Sequence, residues 1–109
     1  MFTIDQESNQ MTIVMKDTAS FDVGLDNYTL RDGDSVTFTI AETKESQEPI
    51  LQKVVTEFED GIATVEISSE DSNIPAGSYY YDIQINLSDG RVDTVIGPAK
   101  FKVIEGVTY

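Results

Sequence analysis

Apolar and polar residues alternate with a period of two along most of this 109-residue chain, the spacing that sends successive side chains to opposite faces of a sheet. Ala19, Phe21, Val23 and Leu25 share one face of such a segment, with Thr18, Ser20 and Asp22 on the other. From Ser35 to Thr43, Val36, Phe38 and Ile40 point inward while Thr37 and Thr39 point to solvent. Ala63, Val65 and Ile67 line one side of the run Ile62 to Ser68. The longest alternation follows the corner Ile74-Pro75-Ala76-Gly77, where Tyr79, Tyr81, Ile83, Ile85 and Leu87 all face one way. A first short strand covers Met11 to Met15, and Ala99, Phe101 and Val103 close the pattern.

Turn residues punctuate these runs. Tyr28 and Leu30 lie in a connection that ends in the turn Arg31-Asp32-Gly33-Asp34, and Lys44 to Pro49 forms a solvated loop. Glu59-Asp60-Gly61 reads as a hairpin joining Ile50–Phe58 to Ile62–Ser68, and Asp89-Gly90 returns the chain through Arg91 to Ile96. In both, Asp before Gly suits the positive φ of a type I′ turn. Gly97-Pro98 is expected to break the strand that follows Arg91. Ser69 to Asn73 supports one helical turn at most. Strands bounded by turns every 8–12 residues predict a single all-β domain over residues 1–109, an antiparallel sandwich of about seven strands. Its expected core is Phe21, Phe38, Val65, Tyr79, Tyr81, Ile83, Ile85 and Phe101.

Charge changes the picture of partners. With 20 acidic and 7 basic side chains the net charge is −13, so phosphate backbones and anionic membrane surfaces are repelled. No apolar run approaches the ~20 residues of a membrane span. The N-terminus lacks the basic and apolar regions of a signal peptide, so the chain is expected in the cytoplasm at synthesis unless an export signal has been removed. Cysteine and histidine are both absent, which removes thiolate chemistry, the usual neutral-pH base and the commonest metal ligand together. The expectation is no enzyme, no cofactor and no metal.

Few residues stand out as sites. Tyr79, just past the corner, suits a structural role in which its hydroxyl returns to upstream backbone, with Gly77 and Asp71 as companions. Tyr80 faces the opposite way, and is either packed or an aromatic anchor for a partner. Asp32 and Asp34 lack the spacing of a calcium loop and read as an ordinary turn. Asp82 and Asp93 are expected as cross-strand neighbours whose like charges are mildly unfavourable. Lys100 and Lys102 alternate outward on the last strand, as guards of an edge or as a docking point for an acidic partner. Met11–Met15 is expected at the other edge, where a partner or a second copy could add by strand pairing.

Several of these segments resemble one family. Lys16 to Phe21, Leu30 to Phe38, Pro49 to Lys53, Ile74 to Gln84 and Asp89 to Val103, in that order, are similar to the N-terminal domain of phage baseplate upper proteins and related short prophage proteins of Gram-positive bacteria. The likeness spans about Met11 to Thr108 and is strongest at the Pro/Gly corner with its Tyr-Asp-Ile-Gln strand. It implies an immunoglobulin-like sandwich in a virion assembled in the host cytoplasm. Its implied partners are other tail or baseplate proteins or further copies of itself. Longer members continue into coiled-coil and receptor-binding segments, and this sequence stops at Tyr109. The alternative is an immunoglobulin-like module of a bacterial surface protein that recognises carbohydrate or a host protein.

Overall fold

The computed structural model describes residues 2–5, 7–24, 28–44 and 48–106. Eight strands follow one another: β1 (Phe2–Ile4), β2 (Met11–Val14), β3 (Ala19–Val23), β4 (Ser35–Ala41), β5 (Leu51–Val55), β6 (Ala63–Ile67), β7 (Gly77–Asn86) and β8 (Val92–Ile104). They form a six-stranded sheet in the order β1-β2-β8-β7-β4-β5 and a two-stranded sheet, β3-β6. The all-β sandwich class expected from the alternation is what the chain adopts. Leu25, expected at the end of β3, lies outside the described residues, as does part of the Lys44–Pro49 loop.

The core forms where the inward rows of the two sheets meet. Phe38, Tyr81, Ile83, Ile85, Val65 and Phe101 are buried from β4, β6, β7 and β8, and Tyr79 is buried beside them. Phe21, also expected inside, is only half-buried, because the two-stranded sheet leaves part of its flank open. Its ring still meets Phe38 edge-on at 5.3 Å and stacks on Phe2 at 6.1 Å. Phe38 also touches Tyr81 at 5.6 Å and Phe101 at 6.2 Å, so it links rings from both sheets.

Several local expectations change. β1 was not expected; its antiparallel pairing to β2 makes β2 an interior strand. β8 is an edge only in part: β2 pairs with it in parallel from Phe101 to Ile104, β7 runs antiparallel along its other side, and Val92–Lys100 lies beyond the reach of β2. The sandwich is therefore not wholly antiparallel, and Lys102 lies between two strands, while Lys100 borders the part of β8 that β2 leaves open. β5 and β6, expected as a hairpin, belong to different sheets. The tight turn between them is real, with Asp60 at φ 54° and Gly61 at 76° and reciprocal bonds between Glu59 and Ile62, but the chain uses it to cross the sandwich. A Cβ on Gly61 would lie 2.3 Å from the Thr29 side chain, so both backbone and space require glycine there.

Gly97-Pro98 does not end β8. Tyr81 pairs with Ala99 and Ile83 with Ile96, so an extra residue is absorbed as a bulge, and a second irregularity follows at Val95. The same shift puts Asp93 opposite Ile85, not Asp82, so the two carboxylates are not paired. At the other end of this hairpin Leu87 accepts from Gly90 N–H at 2.9 Å and donates to Arg91 at 2.8 Å. Only Gly90 of the Ser88-Asp89-Gly90 loop has positive φ, which makes it a three-residue bulged turn rather than type I′.

Candidate functional site

Polar side chains fasten the corners of the sandwich. The Tyr79 hydroxyl donates to the Pro75 carbonyl at 2.5 Å, four residues upstream, across the corner that opens β7. Burial, with the Glu42 charge adding to it, raises the Tyr79 pKa. Gly77 begins β7 with open space where a side chain would stand. Asp71 takes no part in this corner. It accepts from Ser68 N–H at 2.9 Å, its own N–H donates to Ser68 Oγ at 3.1 Å, and Lys53 Nζ sits 2.7 Å away. Burial works to raise the Asp71 pKa, but Lys53 and Ser68 outweigh it and hold the carboxyl below its usual value. This pair lies in an open groove with Thr18, Ser20 and Glu66.

Three anchors were not legible beforehand. Asp34 is buried and joins two distant turns: it accepts from Ser88 N–H at 2.8 Å, Tyr28 hydroxyl at 2.8 Å and Arg31 N–H at 3.1 Å. Burial alone would raise its pKa; these donors and the Arg31 charge bring it below the ordinary carboxylate value instead. Tyr81 donates to the Asn9 carbonyl, 72 residues away, and burial pushes its pKa up to about 12. Ser72 Oγ donates to the Asp17 carbonyl at 2.7 Å. The turn that holds Asp34 was visible in sequence, but its partners, 54 residues apart in the case of Ser88, come only from the fold.

The broadest exposed feature is the outer face of the six-stranded sheet. Register aligns its side chains in rows: Val92, Asn86 and Ser35; Thr94, Gln84, Thr37 and Val54; Asp82, Thr39 and Gln52; Lys100, Tyr80 and Ala41. Lys102 continues this face beside Ser78 and Thr12. Gln52 Nε2 donates to Thr39 Oγ1 at 3.2 Å, and Lys44 Nζ stands 5.3 Å from the centre of the Tyr80 ring. Tyr80, Lys100 and Lys102 are thus brought together on one face, Lys102 between two strands and Lys100 where β8 extends beyond β2. Asp82 is the one carboxylate that the strands turn outward here, and burial raises its pKa. By contrast, the outer face of β3-β6 carries Asp22 and Glu66 without a lysine or arginine.

Among the described residues no three His, Cys, Asp or Glu side chains gather as metal ligands, and no helix is long and apolar enough to cross a membrane. Comparison of the chain with protein-family models and with curated proteins gives no match.

Proposed function

We propose that the chain is a structural component of a phage or prophage virion, in its tail or baseplate, and works through protein–protein contacts rather than catalysis. The observation that carries this reading is the sequence resemblance, strongest at the Tyr-Asp-Ile-Gln strand, which lies between two of the other similar segments. Leu30–Phe38 leads into β4, Ile74–Gln84 into β7, and β8 completes the trio of neighbours in one sheet. Asp34 ties the first of these segments to the β7-β8 turn. The division of strands also supports an immunoglobulin-like arrangement, in which the second and fifth main strands share one sheet and the third, sixth and seventh the other. Here β3 and β6 stand opposite β4, β7 and β8.

A module whose described residues leave no buried side-chain polar atom unbonded, with a sheet face whose strands carry few charges, is suited to holding other proteins in fixed geometry. Particles purified after prophage induction of the source strain, analysed by mass spectrometry, test the reading. The chain should appear in stoichiometric amount with tail proteins. Its absence from particles, together with retention on a glycan matrix, would transfer the case to a carbohydrate-binding surface module.

A further inference from the structure

The chain has 20 acidic side chains, yet the strands turn only Asp82 onto the outer face of the main sheet. The same face holds Lys100 and Lys102, with Lys44 over Tyr80. Among the described residues it also holds the two most exposed large apolar side chains, Val54 at 58% and Val92 at 56%. A surface used to recruit a basic partner would present carboxylates, and this one is nearly clear of them. Two copies of a −13 chain meeting elsewhere would set carboxylate against carboxylate, a juxtaposition costing several kcal/mol. On this face they meet mostly through Thr, Gln, Asn, Val and Tyr, with Lys100, Lys102 and Asp82 as the charges its strands carry. Six strands spaced about 4.8 Å apart and roughly 24 Å long give an area of roughly 700 Å², close to the ~800 Å² per partner of a standard interface.

The edges of this sheet are closed to the alternative of strand addition. β1 has three residues. β5 turns Lys53 toward the core side, opposite Phe38, where it meets Asp71. The part of β8 beyond β2 is bulged and carries Pro98. Short strands, inward charges, bulges and proline are the features that stop edge pairing.

We propose that the outer face of the six-stranded sheet is a self-association surface, on which two copies of the chain pack sheet against sheet around Tyr80, Gln84 and Val54. The inference stands apart from the virion reading. Long-range repulsion between the acidic copies is screened as the Debye length falls from about 30 Å at 0.01 M salt to about 8 Å at 0.15 M, so the dimer tightens as salt rises.

Sedimentation velocity of the full chain over a concentration and salt series tests this. The expected result is a monomer–dimer equilibrium that shifts toward dimer with salt. Gln84→Glu with Val54→Glu should weaken it by about tenfold or more, since like charges then face each other across the contact. Thr18→Glu with Ser20→Glu, which adds the same charge beside β6, should leave it much less changed. Melting temperatures of both variants show that each is folded. A chain that stays monomeric at every salt, or a dimer weakened equally by both pairs, would overturn the proposal. Either result leaves the particle analysis unaffected.

Discussion

Replacing Phe38 by leucine tests whether the core is held by ring contacts that span the two sheets. Phe38 is fully buried and its centroid lies 5.3 Å from Phe21, 5.6 Å from Tyr81 and 6.2 Å from Phe101. An aromatic pair contributes about 0.5–1.5 kcal/mol beyond the area it buries. Leucine keeps most of the apolar volume, a type of exchange that by itself costs less than about 1.5 kcal/mol. Loss of three ring contacts with partial repacking should bring Phe38→Leu to about 2–3 kcal/mol. Phe38→Ala, which also leaves a cavity, should reach about 3–5 kcal/mol. Against a total of roughly 5–15 kcal/mol, the alanine variant approaches global unfolding. Urea unfolding followed by circular dichroism measures both, since a domain of this size is expected to unfold in one step. A double-mutant cycle with Phe21→Leu isolates the contact between sheets and should give a coupling of about 0.5–1.5 kcal/mol. A Phe38→Leu cost below about 0.5 kcal/mol, or strict additivity with Phe21→Leu, would refute the view that these rings lock the sheets together.

Tyr79→Phe removes the hydroxyl from Pro75 and should cost about 0.5–1.5 kcal/mol; a variant as stable as wild type in the same urea assay would remove Tyr79 from the corner. The lowered pKa values of Asp34, Asp71 and Asp89 make their stabilisation complete above the ordinary carboxylate value of 3.8 and lost as pH falls through the folded values. Melting temperature should therefore decline below about pH 4, and Asp34→Asn should melt lower at pH 7 but lose less on acidification; an unchanged acid profile in that variant would contradict the role of Asp34. Chelator should leave the melting temperature unchanged, and a calcium-dependent rise of several degrees would show that an acidic turn binds metal.

The period-two pattern determined a great deal without help: the inward sets of β4, β6 and the end of β8, the long β7 with four buried residues from Tyr79 to Ile85, and the exclusion of helix. That information is local, because a pleated strand sorts its own side chains by hydrophobicity. The positions of the turns at Asp60-Gly61 and Asp89-Gly90 were legible for the same reason, since Asp-Gly pairs carry their φ preferences with them, whereas Gly97-Pro98 is taken into β8 as a bulge. Strand pairing was not. Whether β5 and β6 form a hairpin or part company depends on which sheet offers each the larger apolar surface, and the turn Asp60-Gly61 serves either outcome. β1 escaped notice because three residues are too few to show a period. The edge roles expected for Met11–Met15 and Lys102 failed because β1 covers β2 and the parallel β2-β8 pairing covers the end of β8. The tertiary structure alone brought Asp34 to Ser88 and Tyr81 to Asn9, and it collected Tyr80, Lys100, Gln84 and Val54 onto one face. Such groupings depend on register between distant strands, which free energy summed over the whole core selects and no single segment encodes.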